Sequence, residues 1–325
     1  MIFEKQILDS YKKMFSGRCD GDDGVFYFSP EDFEGLSALP YSFTSSKGHR
    51  LKGYFYSYEP VIEGRLIIFD HGFGAGHRAY MREIELLCRH GYLVFSYDHT
   101  GCVESEGEGA GGLSQSLADL DDCVSALKAD ENYKNLSISV IGHSWGGFSA
   151  LNIAAFHPEI THCVVFSGFS SVEGMVKQFF KGPMAPYRKA VLEYERSVNP
   201  RHSSASGLDT VINTKSNMLL VYSDNDKMVN KKAHFDPLVK AAVEKENVGF
   251  MLTTGKGHNP NYTYDAVKYL GEFFKEQKRR KRKGLLESDE AKAEFIASYD
   301  WMRMTCQDSE VWDDVLAFLA AEHFH

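Results

Sequence analysis

The chain has 325 residues, 43% hydrophobic and 25% charged. That allows one large domain with an embellishment, or two small ones. A formal net charge of −9 argues against a nucleic-acid binder, which would carry a basic face. Mean hydropathy is −0.33 and no apolar run is long enough to cross a bilayer, so no membrane span is expected. The stretch MIFEKQILDSYKKMF lacks the uninterrupted apolar core and small-residue cleavage site of a signal peptide, and a cytoplasmic protein is expected. Cys19, Cys88, Cys102, Cys123, Cys163 and Cys306 form no Cys-x-x-Cys pair. Scattered in this way, they read as reduced, mostly buried thiols.

From about residue 41, YSFTSS and LKGYFYSY, joined by Lys47-Gly48-His49, predict a β-hairpin at a sheet edge. RLIIFD is a continuous apolar run, as suits a strand buried on both faces. A helix is predicted over 80–90, stopped by Gly91. The cycle repeats with strand YLVFSYD, a helix over 114–128, strand LSISVIG, helix SWGGFSALNIAAFH and strand CVVFSG. After an interruption come strand MLLVYS, a helix KKAHFDPLVKAAVEK broken near Pro237, strand VGFMLTT and a helix from about Tyr262. Alternating strands and helices imply a parallel sheet with helices on both faces. Such sheets place their chemistry at the carboxyl ends of the strands.

Two regions break the rhythm. Residues 169–215 are too many for a connecting loop and contain helical pieces, so they predict an inserted helical cap. Val172, Met175, Val176, Phe179 and Phe180 form an apolar stripe there, with Met184 and Tyr187 nearby. The stripe suits packing of the cap onto the body or the lining of an apolar pocket. The second region begins with the basic run Lys278–Lys283, which suits the C-terminal end of a helix. Acidic helical segments follow and largely cancel its field beyond roughly 8–10 Å. Phe295, Ile296, Tyr299, Trp301, Met302, Trp312, Val315, Leu316, Phe318 and Leu319 demand burial. Two helices are expected there, the second capped by Ser309, packed on the body or on a second subunit in a homodimer. Removing everything after Lys283 is expected to expose that surface and leave the site in place. His323 and His325 read as solvent-exposed rather than as metal ligands.

The chemistry centres on Gly142-His143-Ser144-Trp145-Gly146. Gly-x-Ser-x-Gly alone arises by chance in roughly one chain in ten of this size. Here, however, it follows a strand directly and opens a helix. That is the setting of a nucleophile elbow, where small flanking residues permit a sharp turn and the amide of Trp145 can face an oxyanion. With this motif the chain resembles the α/β-hydrolase superfamily, in the branch with a GHSxGG elbow and a modest helical cap, over about residues 41–275. The resemblance implies a mostly parallel sheet with a modest cap. The expected division is a core at 1–168 and 216–283, a cap at 169–215 and a C-terminal helical extension at 284–325, where the family pattern gives no help. It also implies the chain order nucleophile, acid, histidine.

The base is then sought after the last strand. His258, in Gly255-Lys256-Gly257-His258-Asn259, is the sole histidine between that strand and the following helix. For the acid, Asp224 and Asp226 compete after MLLVYS. Family spacing from Ser223 and to Val229 selects Asp226 and leaves Asp224 as a turn residue. By family analogy the loop His71-Gly72-Phe73-Gly74 supplies the second oxyanion donor, the amide of Phe73. The segment from Asp98 to Ser105 resembles the family's Asp-x-x-Gly-x-Gly-x-Ser loop, with Val103 replacing the second Gly. It braces the site, and Asp98 and Ser105 take no catalytic part.

No metal, nucleotide or other cofactor is implied. The expected activity is hydrolysis of a small-molecule carboxylic ester through an acyl-enzyme. An aminopeptidase-like amidase or an acyltransferase on the same triad is the alternative. An amidase of that kind would want an acidic anchor for a substrate amine, for which Glu173, Glu193 and Glu195 are available. A non-catalytic hydrolase-fold binding protein is the alternative of another class.

Overall fold

Apolar side chains alternate along every central strand, and this divides the core in two. The computed structural model describes residues 3–321; His323 and His325 lie outside them. The strands are β1 (Ser37–Thr44), β2 (Arg50–Ser57), β3 (Arg65–Asp70), β4 (Leu93–Tyr97), β5 (Ser137–His143), β6 (His162–Phe166), β7 (Asn217–Ser223) and β8 (Val248–Thr253). They form one sheet in the order β1-β2-β4-β3-β5-β6-β7-β8. β2 is antiparallel to β1 and β4, and all other neighbours are parallel. Leu66, Ile68, Val140, Val165 and Leu220 face one apolar cluster. Ile67, Phe69, Ile141, Phe166 and Val221 face the other. A sheet that is apolar on both sides must be covered on both. This is the α/β-hydrolase fold expected from the sequence.

The helices are α1 (Glu4–Ser16), α2 (Met81–Arg89), α3 (Gln115–Ala129), α4 (Trp145–Asn152), α5 (Val172–Phe179), α6 (Arg188–Val198), α7 (Gly207–Asn213), α8 (Lys231–Ala242), α9 (Tyr264–Arg282), α10 (Asp289–Ala297), α11 (Trp301–Met304) and α12 (Ser309–Ala320). α3, α4 and α8 fill the first cluster through Leu120, Phe148 and Leu238. α2 and α12 fill the second through Ile84 and Trp312. α8 runs unbroken through Pro237, contrary to the predicted break. Proline inside a helix costs about 3 kcal/mol. Burial of Phe235 and Leu238 on either side of it offsets this, at roughly 1.5–3 kcal/mol for each large apolar side chain. α5, α6 and α7 lie between β6 and β7. α1, unassigned in the sequence reading, packs against α6 and buries Tyr11 and Phe15.

The C-terminal residues form three helices rather than two. Phe295 of α10 stacks on Phe273 of α9, with ring centroids 5.3 Å apart. α12 then returns to the sheet, where Trp312 meets Phe166 and Phe318 meets His162. Asp308, not Ser309, caps α12, accepting the amides of Glu310 and Val311. Asp and Ser cap about equally well; here Ser309 is already the first helical residue, which leaves Asp308 at the cap position. No described helix is long and apolar enough to cross a membrane. Truncation after Lys283 would strip α12 from the sheet. A soluble fraction markedly reduced relative to full-length protein, measured by light scattering, is the expected result.

Glu83 of α2 is buried, with Asn261 Nδ2 donating to its Oε1 at 3.1 Å. Burial pushes its carboxyl up from 4.5 to about 7. A raised carboxyl pKa contributes stability that is complete below 4.5 and is lost as pH rises through about 7. Glu83→Gln, which mimics the protonated form, should therefore match the wild-type melting temperature near pH 4.5 and exceed it at pH 8. Thermal melts across that range check the sign.

Candidate active site

The site forms where the parallel strands end. Asp70 of β3 pairs with Gly142 of β5, and Ser223 of β7 pairs with Thr253 of β8. These registers align the loops carrying Phe73, Ser144, Asp226 and His258 along one edge. Ser144 has φ 57° and ψ −107°, a strained conformation costing of order 1–3 kcal/mol. The flanking glycines make the turn possible. A Cβ on Gly142 would lie 2.2 Å from the Gly146 carbonyl oxygen, and one on Gly146 would lie 2.0 Å from that of Asp70. The elbow is also pinned by Ser144 N–H donating to the Phe166 carbonyl at 2.9 Å.

His258 Nε2 lies 2.8 Å from Ser144 Oγ, and His258 Nδ1 lies 2.8 Å from Asp226 Oδ2. Asp226 Oδ1 accepts the amides of Met228 and Val229 at 2.7 and 3.0 Å. Burial pushes the Asp226 carboxyl up. Its bond to His258, the charge there and the two amides outweigh that, so it is held below the usual carboxylate value. Asp224 lies outside this line and accepts the amide of Gly255 at 2.8 Å. It ties the loop after β7 to the loop carrying His258, a contact between segments 31 residues apart rather than the local turn bond expected from the sequence.

The oxyanion candidates are also placed at this edge. The amide of Trp145 is the first of α4, where no carbonyl of a preceding turn can accept it. The peptide before Phe73 is oriented by His71. His71 Nε2 accepts the amide of His99 at 3.0 Å, so Nδ1 carries the proton and donates to the Gly72 carbonyl at 2.6 Å. In a trans peptide this turns the Phe73 N–H away from His71. Burial holds His71 down at about 3, so the ring stays neutral.

A second chain of bonds crosses the site. Gly72 N–H donates to Tyr80 Oη at 3.1 Å, Tyr80 O–H donates to His143 Nδ1 at 2.8 Å, and His143 Nε2–H donates to the His258 carbonyl at 2.7 Å. Burial and the neighbouring His258 hold His143 at about 3. Beneath, His99 lies between Asp70 at 3.2 Å and Asp119 at 3.4 Å. Burial alone would lower its pKa, but the two carboxylates raise it to about 10. Asp98 accepts the amides of His77 and Glu104 and the ring of His77, and Ser105 Oγ–H donates to the Asp98 carbonyl. Val103 stands at φ 38°, a conformation that favours the glycine it replaces.

The carboxylates considered as amine anchors are engaged elsewhere. Glu195 is fully buried and accepts Tyr11 O–H at 2.6 Å, the amides of Leu113 and Ser114, and Ser114 Oγ–H. Glu173 and Glu193 are exposed and pair with Lys177 and Lys189. A burial-ready carboxylate at a helix face is indistinguishable by sequence from a solvated one, so only the packing of α1 onto α6 separates them. Tyr80 and His143 were not singled out by sequence, although His143 lies inside the elbow motif. Among the described residues no group of three or more His, Cys, Asp or Glu is arranged to hold a metal ion.

Residues 63–262 match the family model described as serine aminopeptidase, S33, or Hydrolase_4. The chain is 28% identical over 116 residues to a putative carbamate hydrolase, RutD, of Serratia proteamaculans, covering 35% of this chain and 42% of the relative. It is 32% identical over 113 residues to the monoglyceride lipase of Rattus norvegicus, covering 34% and 35%. The chain thus spans less than half the length of either relative. In fold it is similar to the Pyrococcus furiosus esterase Pf2001, with a TM-score of 0.58 and 21% identity over 82% of this chain and 97% of that one. It is also similar to a putative dienelactone hydrolase of Klebsiella pneumoniae, with a TM-score of 0.52 and 16% identity over 88% and 99%. With the elbow, the strand order and a family match over more than half its length, the chain belongs to the S33 serine aminopeptidase-like family of α/β-hydrolases.

Proposed function

We propose that the protein is a serine hydrolase that cleaves carboxylic esters with an apolar acyl group through an acyl-enzyme on Ser144. The carrying observation is the unbroken line from Ser144 Oγ through both ring nitrogens of His258 to Asp226 Oδ2. In this reading His258 takes the Ser144 proton as Oγ attacks the ester carbonyl, and Asp226 orients the ring and stabilises its charged form. The amides of Phe73 and Trp145 receive the oxyanion. His258 then returns the proton to the departing alcohol. In the second half it takes a proton from water, which attacks the acyl carbon, and gives it back to Ser144.

Two observations support an apolar acyl group. A cavity of about 450 Å³ lies between α1 and the region after α5, lined by Ile7, Ser10, Tyr11, Met14, Phe15, Leu113, Phe179, Phe180 and Met184. It adjoins the oxyanion loop, because Phe15 packs edge-on to Phe73, and Phe73 to Trp145. The cap stripe accordingly divides. Val172, Met175 and Val176 are buried as packing, while Phe179 and Met184 stay exposed along the cavity. With Glu173, Glu193 and Glu195 engaged elsewhere, esters are favoured over substrates that need an amine anchor.

A panel of nitrophenyl esters of graded acyl length, with aminoacyl nitroanilides and a fluorophosphonate probe alongside, tests the reading. Ser144→Ala should fold normally and lose about 10⁴–10⁶ in turnover. Asp226→Asn should be nearly as damaging and Asp224→Asn mild; the reverse order would move the acid to Asp224. A wild type that neither turns over esters nor takes up the probe would identify a binding protein, and preference for the nitroanilides would identify an amidase.

The cavity makes a separate prediction. Phe179→Ala and Phe180→Ala should shift the preferred acyl length, read as the ratio of kcat/KM for long and short esters. Loss of melting temperature with an unchanged ratio in both variants would leave these residues a packing role alone.

A further inference from the structure

The chain beyond the family match returns to the loop that carries His258. Tyr262 and Gln307 form an antiparallel bridge. Thr263 N–H donates to the Cys306 carbonyl at 3.0 Å, and Asp308 N–H donates to the Asn261 carbonyl at 2.8 Å. Lys256, two residues before His258, donates from Nζ to Asp308 Oδ2 at 2.6 Å, with the two side chains only 10% and 20% exposed. Asp308 therefore does two things at once. Its Oδ1 caps α12, and its Oδ2 holds the histidine loop. Gln307 Oε1 accepts both Asn261 Nδ2 and Trp312 Nε1, which joins the same loop to the helix buried against the sheet.

The loop needs such support. Gly255 and Gly257 both have positive φ, 75° and 58°, and glycine leaves a loop free to take other conformations. On its inner side the loop is tied to the acid loop through Ser223 and Asn225, which accept the amides of Lys256 and Gly257. Its outer side is tied by residues 306–308. A largely buried ion pair with a 2.6 Å bond is less screened than a surface pair.

We propose that Cys306–Asp308 is a clamp on the general-base loop, with Lys256 and Asp308 as positioning residues that keep His258 in register with Ser144. The proposal rests on the reading of Ser144 and His258 as nucleophile and base. It departs from the expectation that removing the C-terminal extension leaves the site in place, because the clamp is lost with it.

The test uses the full-length chain with Asp308→Asn, Lys256→Met and the double variant. Asparagine caps helices as well as aspartate does, so Asp308→Asn removes the charge and keeps α12. Both stages of the reaction use His258. Each single variant should therefore lose about tenfold to a hundredfold in kcat, with KM within about twofold of wild type. The double variant should lose no more than the worse single, since both break one contact. Fluorophosphonate labelling should slow by the same factor, and hydrogen exchange should speed up in peptides spanning 255–263 but not in those from α4. Wild-type kcat in both single variants, or a fall in melting temperature with kcat and loop exchange unchanged, would overturn the clamp. If the wild type shows no Ser144-dependent turnover, the hydrolase reading fails by itself. The clamp then stands or falls on exchange in 255–263 alone.

Discussion

The close approach of Gly146 to the carbonyl of Asp70 is the constraint on which the site depends. A side chain there would stand 2.0 Å from that oxygen, so only glycine lets α4 sit down on the ends of β3 and β5. That contact sets the elbow, holds Ser144 in its strained conformation and puts the Trp145 amide at a helix start. The cost of the strain is borne by the sheet: the registers of β3, β5 and β6 are fixed by fully buried apolar residues on both faces. A structure held that firmly can keep one residue in an unfavourable backbone region.

Around the elbow, charge and neutrality are separated by distance from carboxylates. His99 is fully buried yet kept protonated by Asp70 and Asp119, and its ring packs on Trp145 at 4.9 Å. His71 and His143 are also buried, but no carboxylate is bonded to either ring, and both are neutral. Neutrality gives each ring one donor and one acceptor. That is what lets His71 orient the Phe73 peptide and His143 link Tyr80 to the His258 loop. A protonated ring at either place would have no acceptor to offer.

Two elements outside the matched family segment complete the surroundings of this frame. α1 packs on α6 through the buried Tyr11–Glu195 bond, and the same carboxylate takes the amides of Leu113 and Ser114. The Leu113 carbonyl in turn accepts the indole N–H of Trp145 at 2.7 Å. Helix α1 is thus joined to the side chain beside Ser144 through three hydrogen bonds. At the other end, α12 supplies one wall of the second core cluster and touches the histidine loop through the residues that precede it.

By itself the sequence determined the strand–helix alternation, the elbow at Ser144, the histidine after the last strand and the pair of aspartates, one of which bonds that histidine. These are local signals: short continuous apolar runs between helical stretches, glycines beside a serine, a glycine-rich loop after an apolar run. Tertiary structure decided what depends on partners far along the chain. Glu195 is a buried hydrogen-bond hub because α1, 184 residues away at Tyr11, closes over it. Asp308 rather than Ser309 caps α12, with its second oxygen on Lys256, 52 residues earlier. Pro237 does not break α8, because the packing of Phe235 and Leu238 outweighs a local penalty. Periodicity shows that a side chain must be buried or solvated, but its partner is set by how distant segments pack, and no local pattern encodes that.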